Sequence, residues 1–401
     1  MILPTIQVVV HTLGHAVIER FGRAFRAMGR RERPIRIGVD IRPFYEPLTG
    51  VGWYLYHLLD QLARRDDVEL ILFGDARVTD LGPRLFEQPP TNARLCAFDL
   101  RGMPKSRFGR PITAAAYVLW MWLLDCDLIF GANYFLPRLM GAVARRRVIT
   151  VHDLTYKRFP ELLQKETLEN LERQMAREVA LSDAVIAVSE STRRDLLAFY
   201  QIDPSRVFTV HSGVSVPETS EPVEGLPRRY ILFVSTIEPR KNLDVLLDAF
   251  DALRRSGYDG SLVVAGKIGW KAEALAERLR APGVVHLDYV NPSQLTTLYR
   301  NADVFVFPSI YEGFGFPLLE AMAHGIPTIA AQSSSLPEIG GDASIYFDPR
   351  NAPELATQLR RVLDDGGLRR DLVAKGHERA RQFRWDRAAD ETLEVFRRVV
   401  H

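Results

Sequence analysis

Short apolar runs of strand length alternate with stretches of helical period along this chain, and they do so twice, on either side of a proline- and acid-rich break. The first series runs Ile35 to Val39, Val68 to Phe73, Leu128 to Phe130, Val148 to Val151, Ala184 to Val188 and Val207 to Val210. The second runs Tyr230 to Ser235, Leu262 to Ala265, Val284 to Leu287, Val304 to Phe307 and Thr328 to Ala330. A strand covered on both faces needs an unbroken apolar run, and a parallel neighbour needs a crossover helix. The pattern therefore restricts the chain to α/β layers built on parallel sheets. Between the series, Pro217 to Pro227 is poor in large apolar side chains and reads as a linker.

At 401 residues the chain suits two domains of about 150 to 200 residues each. The divisions expected are an extension over 1–34, a first domain over 35–216, a linker over 217–228, a second domain over 229–384 and a terminal helix over 385–401. Hydrophobic residues at 47% and charged residues at 25% are an ordinary globular balance and exclude a disordered or fibrous chain. A net charge of +2, with no interleaved basic and aromatic motif, argues against a nucleic-acid partner. Cys96 and Cys126 have neither zinc spacing nor a disulfide framework, so a cytoplasmic location is expected.

The apolar stretch Ile112 to Leu124 is too short to span a bilayer and is expected as a core helix, with Trp120 and Trp122 leaving an interfacial role open. In Met1 to Pro34 the arginines at 20, 23, 26, 30 and 31 follow the apolar part, the reverse of a secretory signal. Ile6, Val9, Val10, Leu13, Val17, Phe21 and Phe25 recur at helical spacing. An amphipathic helix with a basic side follows, suited either to packing on the protein or to peripheral membrane contact.

The densest chemistry lies in Tyr311-Glu312-Gly313-Phe314-Gly315-Phe316-Pro317-Leu318-Leu319-Glu320, directly after the run Val304 to Phe307. Pro317 suits a helix first turn and Gly325 its stop, so a helix begins at a strand's carboxyl end, where free amides and the positive dipole end favour phosphate. Carboxylates at Glu312 and Glu320 accept hydrogen bonds from sugar and ribose hydroxyls. Glu238-Pro239-Arg240-Lys241-Asn242 follows the run Tyr230 to Ser235. It brings two cations to a second carboxyl end, opposite the first motif, while Asn242 is placed to cap the next helix. That helix carries Leu243, Leu246, Leu247, Phe250 and Leu253 as one core stripe.

Residues Asn301 to Gly325 resemble the acidic signature of the large retaining GT-B glycosyltransferase family 4, also called glycosyl transferases group 1, and the likeness extends over about Arg36 to Val400. The resemblance implies two Rossmann-like, doubly wound domains facing across a cleft, the first binding the acceptor and the second the nucleotide sugar, with the last helix crossing back onto the first domain. It implies that Glu320 holds the ribose, that Glu312 contacts the transferred sugar, that Lys241 and Arg240 meet the diphosphate, and that Gly313, Phe314, Gly315 and Phe316 line the donor. Many relatives carry an arginine where this chain has Ser235 and Thr236, so Lys241 is the firmer assignment of the two cations.

Further matches fill in the cleft. Gly50 and Gly52 stand where the family has a glycine loop; no third glycine completes a dinucleotide fingerprint, since position 55 is leucine. His152, in Val151-His152-Asp153-Leu154, falls where the family has a histidine near the transferred sugar, and is expected to donate to a sugar hydroxyl. Asn133 and Tyr134 resemble an acceptor-side loop. Tyr289 and Val290 occupy a base-reading segment where many relatives have glycine. No Asp-x-Asp motif stands in a plausible donor position, so the expectation is no cofactor and no required metal.

The resemblance is greatest to bacterial polysaccharide mannosyltransferases. It implies hexose transfer from GDP-mannose to a glycan or lipid-linked acceptor, with a UDP- or dTDP-hexose donor as the alternative. A catalytically silent sugar-nucleotide-binding subunit has the same fold. A phosphorylase-like enzyme needs a lysine-bound pyridoxal phosphate, for which no motif is present.

Overall fold

A computed structural model describes residues 33–44, 48, 50–74, 86, 90–97, 109–136, 143–163, 165–217, 219–269 and 273–401. The basic amphipathic segment expected before Pro34 lies outside the described residues, apart from Arg33 and Pro34, as do Lys105 and Arg107.

The first sheet contains β1 (Ile35–Asp40), β2 (Val68–Gly74), β3 (Ala93–Ala97), β4 (Leu128–Gly131), β5 (Arg147–Val151), β6 (Ala184–Ala187) and β7 (Val207–Thr209), in the order β3-β2-β1-β4-β5-β6-β7. The second contains β8 (Tyr230–Val234), β9 (Ser261–Ala265), β10 (Val284–Leu287), β11 (Val304–Phe307), β12 (Thr328–Ala331) and β13 (Ser344–Phe347), in the order β10-β9-β8-β11-β12-β13. The pairings within both sheets are parallel. Each sheet reverses direction between its first and fourth strands, at β1/β4 and at β8/β11, and such switch points open a crevice at the carboxyl ends.

Two strands escaped the sequence reading. β3 and β13 are edge strands, and their sequences, Ala-Arg-Leu-Cys-Ala and Ser-Ile-Tyr-Phe, lack the unbroken apolar run of strands covered on both faces. The central strands show that run: Val304, Phe305, Val306 and Phe307 are all fully buried. The Leu243–Arg255 helix buries Leu243, Leu246, Leu247, Phe250 and Leu253. Each such side chain contributes roughly 1.5–3 kcal/mol on burial.

Asn242 does not cap that helix with its side chain. Its φ is 57°, and Nδ2 instead donates to the carbonyls of Pro308 at 3.0 Å and Pro349 at 2.7 Å. The turn carrying Arg240 and Lys241 is thereby tied to the end of β11, at the expense of a helix cap.

Contacts across the two sheets' layers are specific. Ser189 Oγ donates to the Gly313 carbonyl at 2.6 Å, and Glu338 accepts from the amides of Glu190 at 2.7 Å and Ser191 at 3.0 Å. His211 Nε2 lies 2.6 Å from the same carboxylate. The Trp385–Val400 helix lies against the Gly50–Leu62 helix, with Asp390 paired to Arg65 at 2.6 Å and Phe396 edge-on to Phe130 at 5.2 Å.

Candidate active site

The switch point between β8 and β11 gathers the charges. β8 leads through Glu238 into a single 3-10 turn, Pro239–Lys241, and β11 leads to Glu312. Lys241 Nζ stands 2.6 Å from Glu312 Oε1 and Arg240 Nη1 stands 2.9 Å from Oε2, while Arg240 Nη2 reaches Glu238 at 2.8 Å. Lys241 and Glu312 are each 8% exposed. Burial alone would raise the Glu312 carboxyl, but Lys241 and Arg240 outweigh it and hold the pKa down to about 2. Burial pulls Lys241 downward, with Glu312 the chief opposing influence, so the lysine depends on that carboxylate for its charge.

The loop after β12 braces this cluster, and the sequence reading did not assign it. Ser334 Oγ accepts the Glu312 amide at 2.8 Å, and Ser335 Oγ donates to the carbonyls of Glu312 at 3.0 Å and Phe314 at 2.8 Å. The signal in the sequence was Ser333-Ser334-Ser335, one intervening residue after a strand, a run of hydroxyls that serves loops by bonding nearby backbone.

The helix expected at Pro317 spans Phe316–Ala323, and Gly325, at φ 76°, follows its end. Gly315 precedes it at φ 108°, a conformation that disfavours side chains. Glu320 is half-buried and accepts from Tyr299 Oη at 2.9 Å; burial raises its carboxyl against that bond. Only 4% of Phe314 is exposed, and its ring packs near Phe383, Phe316 and His211, so its side chain belongs to the core. Phe316 is half-buried and stacks on Trp385. Gly313 answers to the other domain, because a Cβ there would fall 1.6 Å from the His152 carbonyl oxygen.

Across the cleft, His152 follows β5 and its Nε2 lies 2.8 Å from the Ala132 carbonyl. A carbonyl only accepts, so Nε2 carries the proton; burial lowers the ring's pKa and favours the neutral form. In that neutral form Nδ1 is left as an acceptor, whereas the sequence expectation had the ring donating to a sugar hydroxyl. Tyr54 and Tyr134 stand edge-on to the ring at 5.0 and 5.8 Å. Tyr134 has φ 59° and its amide bonds the Thr150 carbonyl at 2.9 Å, while Asn133 beside it is exposed.

Gly50 and Gly52 lie inside the first turn of the Gly50–Leu62 helix. A Cβ on Gly52 would meet Leu48 Cδ2 at 2.7 Å, so packing accounts for that glycine, whereas a Cβ on Gly50 would reach only Phe316 of the other domain, at 4.0 Å. At the carboxyl ends of β9 and β10, Tyr289 is 69% exposed with Lys267 Nζ 5.4 Å from its ring centre, and Val290 is half-buried beside it. Among the described residues no group of three or more His, Cys, Asp or Glu side chains is arranged to hold a metal ion.

Two parallel sheets facing across a cleft, with acids and cations at the second sheet's switch point, define a GT-B fold. Residues 217–379 match the glycosyl transferases group 1 family and residues 48–217 match glycosyltransferase family 4. The chain is 31% identical to O-antigen chain mannosyltransferase B of Escherichia coli, over 88% of this chain and 97% of that one. It is 28% identical to a D-inositol 3-phosphate glycosyltransferase of Salinispora arenicola, over 94% of each. Sucrose-phosphate synthase from Thermosynechococcus elongatus has the same fold at 20% identity, with a TM-score of 0.66 over 91% of this chain and 98% of that one. The chain belongs to the family 4 GT-B glycosyltransferases and is a glycosyltransferase enzyme.

Proposed function

We propose that the protein transfers mannose from GDP-mannose to a saccharide acceptor in polysaccharide biosynthesis, with retention at the anomeric carbon and without a metal. The observation that carries this reading is the buried Arg240–Glu312–Lys241 cluster at the β8/β11 crevice, two cations where a sugar diphosphate leaves. The likeness to an O-antigen mannosyltransferase supports the sugar and the polysaccharide setting.

In this reading the bond between the anomeric carbon and the diphosphate breaks as charge grows on the phosphate oxygen, and Arg240, Lys241 and the amides at the start of the Phe316–Ala323 helix meet that charge. The acceptor hydroxyl attacks on the face the diphosphate vacates and gives its proton to the departing phosphate oxygen. Glu312 accepts from hydroxyls of the transferred sugar and Glu320 from the ribose. His152 Nδ1 orients a further sugar hydroxyl, Tyr289 and Val290 receive the base, and Asn133 and Tyr134 face the acceptor.

Peripheral contact with an anionic membrane belongs to the same proposal. No helix among the described residues is long and apolar enough to cross a membrane. Leu119 and Trp122 are exposed three residues apart on the Gly109–Leu124 helix, and Arg145, paired at 2.7 Å with Asp125 at that helix's end, and Arg146 are exposed near it. This pairing of apolar and basic groups suits a surface carrying a lipid-linked acceptor.

A thermal-shift screen against GDP-, UDP- and dTDP-sugars tests the donor, since a ligand of the folded form raises its stability. A shift confined to GDP-mannose is expected; a shift confined to a UDP- or dTDP-sugar overturns the donor assignment. The anomeric configuration of the product by NMR decides retention.

A further inference from the structure

We propose that Tyr311 is a positioning residue that couples the approach of the two domains to the placement of Glu312 and Arg240. Its phenol Oη donates to Asp195 at 2.7 Å and accepts the Leu154 amide at 3.0 Å. Both partners belong to the first sheet's layers: Leu154 is two residues beyond His152, and Asp195 lies in the Glu190–Phe199 helix. The backbone carbonyl of the same tyrosine accepts from Arg240 Nη1 at 2.8 Å, and the next residue is Glu312. One residue therefore touches the His152 loop with its side chain and the cation cluster with its backbone.

The contact is built to persist. Tyr311 and Asp195 are each 4% exposed, and the tyrosine ring packs beside Phe159 at 5.8 Å. The other Asp195 oxygen is held by Arg158 Nε at 3.0 Å, which orients the carboxylate toward the phenol. Burial, Asp153 and Asp195 push the phenol far above its ordinary range, so it stays a donor. A Cβ on Gly313 would fall 1.6 Å from the His152 carbonyl oxygen and 3.0 Å from Asp153 Cβ, so the absence of a side chain there lets this contact close.

Tyr311→Phe keeps the ring and removes both bonds. Because a misplacement of about 1 Å costs on the order of 100-fold in turnover, kcat should fall roughly 10- to 100-fold. The calorimetric affinity for GDP, which lacks the sugar that His152 orients, should change less than about threefold, since the proposed ribose and base contacts belong to the second domain. Asp195→Ala, made from the other side of the cleft, should show the same split, and the double variant should be no slower than the slower single; Asp195→Asn serves if the alanine form does not fold. Wild-type kcat in Tyr311→Phe, or a loss expressed wholly in KM or GDP affinity, overturns the proposal. The kcat measurement rests on the transferase reading with a GDP donor, whereas amide hydrogen exchange does not. Peptides covering 150–158 and 309–315 should exchange faster together in Tyr311→Phe, and unchanged exchange in either one overturns the coupling whatever the donor.

Discussion

Lys241 Nζ lies 2.6 Å from Glu312 Oε1, both side chains being buried, so the charge of each is maintained by the other. A buried ion pair is costly to break from one side, because the survivor keeps the desolvation penalty and loses the compensation. The pair therefore ties the chemistry of the cleft to the stability of the second domain.

Replacing Lys241 with methionine should lower kcat by about 100-fold or more, the scale of losing one group that meets transition-state charge. It should also cost about 3 kcal/mol of stability, with Arg240 remaining on the carboxylate. Steady-state kinetics and denaturant unfolding measure the two effects separately.

Glu312 and Glu320 should part company in binding. Glu320→Ala should abolish measurable nucleotide binding, while Glu312→Ala should leave it nearly intact and remove transfer, because contacts made as the sugar departs appear in turnover. Isothermal calorimetry with GDP checks this: equal affinity in wild type and Glu320→Ala removes the ribose assignment.

Their pH dependences run in opposite directions. Glu312 has a folded pKa of about 2, below its unfolded value, so the stability it contributes is present above the ordinary carboxylate range and is lost as pH falls toward 2. Glu320 is raised by burial, so its ionisation destabilises the fold as pH climbs out of that range. Glu320→Gln should gain stability relative to wild type on raising the pH from 4 toward neutrality (order ~1 kcal/mol per pKa unit), and Glu312→Gln should lose it relative to wild type on raising the pH from about 2 to 4.5. Urea midpoints across these ranges test both signs.

Chelation with EDTA should leave turnover unchanged, because Arg240, Lys241 and helix amides are proposed to meet the diphosphate charge. Loss of activity on chelation, restored by magnesium or manganese, would give that role to a metal.

Leu119→Asp with Trp122→Asp should abolish flotation with anionic liposomes at low salt and leave activity on a soluble acceptor unchanged. Arg145→Glu with Arg146→Glu should weaken flotation by about 1 kcal/mol per residue, and salt should do the same to the wild type. Wild-type protein that stays in the soluble fraction at low salt ends the membrane proposal.

The sequence by itself determined the layers. Unbroken apolar runs marked the central strands, and the position of Pro317 and Gly325 marked the helix Phe316–Ala323, because backbone geometry at those residues is set locally. It also placed Glu312, Arg240, Lys241 and His152 in the segments that leave strand ends and Glu320 about one turn inside the following helix, since the chain following a buried strand emerges at the sheet's edge. Tertiary structure alone decided what those groups bond. The Ala132 carbonyl, 20 residues away, sets the tautomer of His152; Pro308 and Pro349 draw Asn242 away from its helix; Leu336 and the His152 backbone occupy the space beside Gly315 and Gly313. The bonds from Tyr311 to Leu154 and Asp195 span 157 and 116 residues. Local propensity carries no information over such separations, because the partners meet only after both sheets have formed and packed.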